Sequence, residues 1–244
     1  MILLEEGREL ADTLTLSLGR IAQVCATLQN QQKELPLVIA AIPSIATVWL
    51  VPRLDAFQKA HPEIDIKIEY ALHGSRINFK DVDFAFTFSQ NAPTEAHTRS
   101  DIYLSGKCCA VCNPVIAEIP NVLALDPDAL QSVGFLHGTD TSAWQTWFKK
   151  AEIPLPQLAN APTYQDFNML RAAAIAGQGI ALCPEDMIQK DLENGRLIKL
   201  SEITVRDDYN YHIVKSDIRR SAKDKAADVF EKWVLSLRTL QKIW

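Results

Sequence analysis

The sequence predicts an α/β fold in which strands covered on both faces alternate with helices. Three observations carry this reading. Leu37-Val38-Ile39-Ala40-Ala41-Ile42 is an apolar, partly β-branched run with no polar alternation, the pattern of a strand buried inside a parallel sheet. Trp49, Leu50, Leu54 and Phe57 follow at helical spacing, and Ile64, Ile66 and Ile68 then alternate with Asp65, Lys67 and Glu69, giving strand, helix, strand. Further along, Ala176-Gly177-Gln178-Gly179 closes a helical pattern and turns into the apolar Ile180-Ala181-Leu182-Cys183.

Taken in order, residues 5–32 read as a helix. Leu14, Ile21 and Leu28 repeat at seven, Leu10, Ser17 and Val24 occupy the intervening heptad position, and Leu18 and Cys25 widen the stripe. Such a stripe either packs on its own domain or pairs with a second helix as a dimerising seam. Gln29 to Lys33 is a polar hinge. Ser44, just past the first strand, is placed to cap the following helix, directly or from one position away. Pro52 either kinks that helix or marks its true first turn, and His61-Pro62 stops it. A helix opening just past a parallel strand aims unpaired backbone N–H groups at whatever sits there.

Phe84 to Phe88, Ile102 to Leu104 and Cys108 to Cys112 read as further strands, the last two separated by Ser105-Gly106-Lys107. Val133 to Leu136 reads as another. Thr141 or Ser142 is expected to cap a helix carrying Trp144 and Trp147. Asp166 to Ala176 is a helix with Phe167, Leu170 and Ala174 on one face, Tyr209 to Val214 a strand, and Ala222 to Leu240 a terminal helix with Phe230, Trp233, Val234, Leu237 and Leu240 inward.

Composition narrows the function classes. At 244 residues and 48% hydrophobic, the chain can bury one large core or two smaller ones. The net charge of −5 suits poorly a chain that grips nucleic acid through phosphates. No apolar run is long enough to span a bilayer, and Met1 to Glu6 carries no basic region of the secretory kind, which points to the cytoplasm. The five cysteines, Cys25, Cys108, Cys109, Cys112 and Cys183, suit a reducing compartment. Cys109 and Cys112 match the C-x-x-C spacing, but no second pair accompanies them, so they read as small hydrophobes of a buried strand. Gly177-Gln178-Gly179 follows a helix and precedes a strand, the reverse of a nucleotide fingerprint. G-x-S-x-G, H-E-x-x-H and the P-loop are absent. No catalytic residue, metal site or cofactor is assigned, and an enzyme is not expected.

The stretch from Ile42-Pro43-Ser44 through Trp49-Leu50-Val51-Pro52-Arg53-Leu54 to His61-Pro62-Glu63-Ile64 resembles the first unit of the effector-binding domain of LysR-type transcriptional regulators, and within that family a glycine-cleavage-activator-like subgroup. Val111-Cys112-Asn113-Pro114, Asp126-Pro127-Asp128-Ala129-Leu130, Leu136-His137 with Trp144 and Trp147, Ala176 to Pro184, and Leu192 to Ile198 fall in the family's order. Asp81-Val82-Asp83-Phe84-Ala85-Phe86 matches a family strand, with Thr87 where the subgroup has Arg and Phe88-Ser89 replacing the usual continuation. These departures bear on which ligand fits rather than on the fold. Leu3 to Leu10 looks like the end of the family's winged helix-turn-helix running into a linker helix.

The resemblance implies a two-lobed, type II periplasmic-binding-protein-like fold preceded by a linker helix. It divides the chain into a linker and dimerisation helix over 1–33, a first subdomain over 36–108 plus 207–244, and a second over 109–206. It implies a small-molecule effector, anionic or amino-acid-like, a homo-oligomer (dimer or tetramer), DNA contact only through a helix-turn-helix outside this sequence, and no membrane. The ligand belongs beyond the carboxyl ends of the strands. Ser44, Ile45 and Thr47 open the first helix there, His73 and Gly74 follow the second strand, and Thr87 and Phe88 end the third. His137, Tyr164 and Phe167 face them from the second lobe. Leu14, Ile21 and Leu28 form the dimerising seam. Two other readings use the same fold: an exported solute-binding protein, and a shortened regulator paralogue that acts by hetero-dimerisation.

Overall fold

The structure, a computed structural model, describes residues 7, 13–15, 17–22, 24, 36–71, 76–139, 141–156, 162–218 and 223–241. Two sheets organise it. The first has strand order β2-β1-β3-β8-β4, from β1 (Leu37–Ala41), β2 (Ile66–Tyr70), β3 (Phe84–Ser89), β4 (Thr98–Ser105) and β8 (Asn210–Ser216). The second has order β6-β5-β7, from β5 (Cys108–Cys112), β6 (Ala181–Pro184) and β7 (Ile198–Val205). β1 runs parallel to β2 and β3, and β8 runs antiparallel to β3 and β4. The apolar character of β1 follows from that position. Leu37, Ile39 and Ala41 enter the large core with Trp49, Phe57, Phe84, Phe86 and Phe230, while Ala40 and Val38 turn to a smaller cluster with Phe79, Val82 and Val214.

The helix after β1 departs from the sequence reading. Pro43 and Ser44 are already helical, Ile45–Leu50 is a π-helical segment, and a regular helix, α1, spans Val51–Ala60. Ser44 therefore does not cap it: its backbone is right-handed helical (φ −58°, ψ −56°) and its side chain makes no cap bond. The first bond runs from Ala46 N to Ile42 O at 3.0 Å, with Pro43 opening the turn. Pro52 stands in the first turn of α1, one of the two roles open to it in the sequence. It has no N–H to give, and the chain changes from π- to α-type bonding there, Val51 N reaching back to Ala46 O.

In the second lobe, α2 (Pro114–Ala117) and α3 (Pro127–Val133) are capped by Asn113 and Asp126, whose side chains accept from Val115 N and Ala129 N. The strand expected over Val133 to Leu136 is reduced. Val133 ends α3, Gly134 turns with φ +84°, and Phe135 and His137 make single parallel bridges to Ile180 and Thr163. α4 (Ser142–Ala151) buries Trp144, Trp147 and Phe148, yet Thr141 at its N-cap position makes no side-chain cap bond. α5 (Phe167–Ile175) is capped by Asp166, and Gly179 brings the chain so near Gly134 O that an added Cβ would lie 3.1 Å away. α6 (Glu185–Glu193) follows β6. α7 (Asp224–Gln241) returns to the first lobe, burying Phe230 and Val234 while the Tyr103 hydroxyl donates to Val234 O at 2.9 Å. Trp233 and Leu237 pack there partly buried, and the Leu240 side chain lies outside the described residues.

The described residues from Gly7 to Val24 are helical, and Leu14, Leu18, Ile21 and Val24 are more than half exposed, so this stripe does not pack on its own domain. Leu28 and the hinge over Gln29 to Lys33 lie outside the described residues.

The two sheets are joined by one antiparallel ribbon. β4 pairs with β8 up to Ser105↔Asn210, and β5 pairs with β7 from Cys108↔Val205. Between them Gly106 N donates to Tyr209 O at 2.9 Å. A Cβ on Gly106 would sit 2.6 Å from Tyr209 O and 2.6 Å from the Phe88 ring, so only glycine fits the crossing. Gly106→Ala should cost about 1–3 kcal/mol of stability through this overpacking, read as a fall in the urea midpoint. An unchanged midpoint would show that the crossing relaxes without strain.

Candidate ligand cleft

Parallel pairing sets Ala41 beside Phe86, and Ile42 N donates to Phe86 O at 3.2 Å, so the chain leaves β1 level with the end of β3. Ser44 lies two residues on and is buried at 6% exposure. Its hydroxyl, not used for capping, meets Tyr211 of β8. Burial pushes the Tyr211 phenol far up, and the hydrogen bond with Ser44 acts in the opposite direction. Phe88 lies opposite Tyr211 in the β3–β8 pair and packs on it at 4.8 Å between ring centroids, with Tyr209 stacked at 5.3 Å. Thr87 lies opposite His212, and its buried Oγ1 has no hydrogen-bond partner among the described residues. His212 Nε2 contacts Ser89 O at 3.2 Å, which requires the ring proton on Nε2.

From the second lobe, His137 is buried at 3% exposure and its carbonyl accepts from Tyr164 N at 2.8 Å. Tyr164 donates its hydroxyl to Gln178 at 2.9 Å. Phe167, the first residue of α5, packs against the cores of both lobes. The lobes also touch where Asp186 accepts Ser105 N at 2.9 Å and Met187 enters the first core.

Of the residues singled out in the sequence, Ser44 and Phe88 converge through Tyr211, and His137 is joined to Tyr164. Ile45 is fully buried in the first core, which leaves only its backbone for a ligand. Thr47 is exposed and its hydroxyl donates to Pro43 O at 2.9 Å. His73 and Gly74 lie outside the described residues. Tyr211 was not singled out in the sequence. Its signal was the alternation Tyr209, Tyr211, Ile213, which sets it on the core face of its strand.

The cysteines are explained by strand geometry. Cys108 and Cys112 face one core of the second lobe and Cys109 the other, so Cys109 and Cys112 lie on opposite faces of β5 and cannot share a metal ion. Burial pushes the Cys108 thiol up to about 12, Cys109 and Cys112 up to about 11, and raises Cys183 as well. Among the described residues no group of three or more His, Cys, Asp or Glu side chains is placed to hold a metal, and no helix is long and apolar enough to cross a membrane.

Two α/β lobes joined by a crossing ribbon define the class of two-lobed domains with the periplasmic-binding-protein-like fold. The family profile described as LysR substrate binding domain matches residues 30–234, and the chain belongs to this family, the effector-binding domains of transcriptional regulators. It is 27% identical over 237 residues to the glycine cleavage system transcriptional activator of Escherichia coli K12, covering 97% of this chain and 76% of that one. It is 28% identical over 230 residues to the transcriptional activator AmpR of Rhodobacter capsulatus, covering 94% and 76%. The effector domain of AmpR from Pseudomonas aeruginosa superposes with a TM-score of 0.66 at 22% identity, over 84% of this chain and 96% of that one. Full-length AphB, the virulence activator of Vibrio cholerae, superposes at 0.63 and 17% identity over 98% and 81%.

The thiols predict an alkaline limit to stability. Unfolded cysteines lose their protons above about 9, whereas the folded chain keeps them bound until the shifted values. The folded state then holds more protons than the unfolded one, and stability falls as pH rises through that window. The urea midpoint should drop between about pH 9 and about pH 11, and less so in a Cys109→Ala chain. Equal slopes in the two chains would disprove the assignment to this thiol.

Proposed function

We propose that the chain senses a small anionic or amino-acid-like molecule between its lobes, in the cytoplasm, and does no catalysis itself. The division into a linker helix over 1–33, a first subdomain over 36–108 plus 207–244 and a second over 109–206 belongs to this reading, as does contact with DNA only through a helix-turn-helix. Ser44, Ile45, Thr47, His73, Gly74, Thr87 and Phe88 contribute from the first lobe, and His137, Tyr164 and Phe167 from the second. The observation that carries the reading is the buried Ser44 side chain, set in the first helical turn beyond β1, near Tyr211, and not spent on a cap. The backbone N–H groups of Ser44 and Ile45 precede the first helical bond, so a carboxylate docked there meets aligned donors. Relatives named as activators of the glycine cleavage system and of β-lactamase synthesis support the sensing role.

A thermal-shift screen of amino acids and small carboxylates, followed by calorimetry on the strongest, tests this. Ser44→Ala should weaken that molecule by about 1–2 kcal/mol, the range of one charge-assisted hydrogen bond. A lower melting temperature with unchanged affinity would leave Ser44 with a structural role only and move the ligand elsewhere.

The reading also assigns the N-terminal helix to self-association through Leu14, Ile21 and Leu28, supported by the exposure of Leu14, Leu18, Ile21 and Val24. Sedimentation at micromolar concentration should give a dimer or larger species, and Leu14→Glu with Ile21→Glu should reduce it. A monomer in both chains would refute the assignment.

A further inference from the structure

Arg53 is a half-buried cation without a carboxylate partner among the described residues. Its Nη1 donates to Trp49 O at 2.8 Å, and its guanidinium lies 4.4 Å from the centroid of the Trp49 ring. One backbone carbonyl and a ring face leave most of the guanidinium fork unused. Desolvation by burial holds its pKa below the ordinary value, with Tyr103 acting the other way. A desolvated cation that meets no anion is costly, and it gains most from a planar carboxylate able to accept two parallel N–H bonds.

Arg53 lines a groove of about 980 Å³ between the helical segment after β1 and the second lobe. Of the residues assigned to the cleft, only Thr47 borders it. Pro52 and Leu237 supply apolar surface beside the buried Trp49, and Arg171, Lys190 and Arg196 line the groove from the second lobe. Arg171 and Arg196 converge on one carboxylate, Asp191, which is 1% exposed: Arg171 Nε and Nη2 reach its two oxygens at 2.5 and 2.6 Å, and Arg196 Nη2 reaches Oδ1 at 2.5 Å. Two guanidinium groups on one carboxylate leave a positive charge unspent. Asp186 and Glu193 also line the groove, giving four cations against three carboxylates on a chain whose net charge is −5. The local excess is therefore opposite in sign to the whole molecule, and it favours an anion. Asn168 Oδ1, buried on the second-lobe side without a hydrogen-bond partner among the described residues, offers an acceptor for a hydroxyl or N–H on the same molecule.

We propose that this groove is a second small-molecule site, distinct from the cleft at Ser44, that takes an aromatic carboxylate with its carboxyl group on Arg53 and its ring against Pro52 and Leu237.

The test uses the full chain and 4-hydroxyphenylacetate as the probe, titrated by calorimetry beside its primary amide, which keeps the ring and removes the charge. The acid should bind one to one, the amide at least tenfold more weakly, and Arg53→Gln should lower the affinity for the acid by a similar factor with its circular dichroism unchanged. Ser44→Ala should leave that affinity within about twofold, which separates this site from the cleft. The comparison of acid with amide on the unaltered chain stands even if Arg53→Gln does not fold. Absence of binding, equal binding of acid and amide, loss of binding in Ser44→Ala, or an Arg53→Gln effect confined to the state of association would each overturn the proposal.

Discussion

Both lobes hang on a single antiparallel ribbon that passes through two sheets at Gly106 and Tyr209. The first sheet borrows β4 and β8 from this ribbon, and the second borrows β5 and β7. Neither sheet is complete without it. The crossing has no room for a Cβ because the Tyr209 carbonyl and the Phe88 ring close on it from two sides. Phe88 in turn packs on Tyr211, which reaches Ser44. The crossing at Gly106 is thus linked through two residues, Phe88 and Tyr211, to Ser44 at the head of the cleft.

Charge is distributed to match. The acidic chain keeps its buried ions in closed sets, as where Asp83 accepts both Val38 N and Lys223 Nζ, or where Asp191 holds two arginines. Buried ion pairs of this kind contribute little net stability but leave a costly charge behind when one member is lost. Arg53 departs from that pattern: it is stacked on Trp49, half-buried and without a carboxylate partner among the described residues. Its guanidinium fork presents a charge of defined sign and shape.

Much of the architecture was legible in the residues. The apolar run Leu37 to Ile42, the alternation after Ile64 and the glycines at 177 and 179 each became the element their pattern implies, because burial on one or two faces writes a period into the chain. The readings that changed were local. Ser44 has the right chemistry for a cap, but Pro43 starts the helix earlier, so the hydroxyl was released to a tertiary partner. Phe135 and His137 have strand-like surroundings but find only one bridge each, since Gly134 and Gly138 bracket them. Tyr211 could be placed on a core face from alternation, yet its meeting with Ser44 depends on strand order, and β8 joins β3 across more than a hundred residues. The Arg53 groove was not legible at all, because its walls come from four separated segments.

The π-helical segment has a consequence for how the chain tolerates change in length. A π-turn carries one residue more than an α-turn, and each residue turns an α-helix by about 100°. The segment Ile45–Leu50 therefore takes up an extra residue between Ser44 and α1. Deleting a single residue there would restore ordinary winding without shortening any strand, and Leu54 and Phe57 would keep the face they turn to the core. A change of one residue at this point is thus absorbed in the width of the turn, whereas the same change within α1 would rotate everything beyond it.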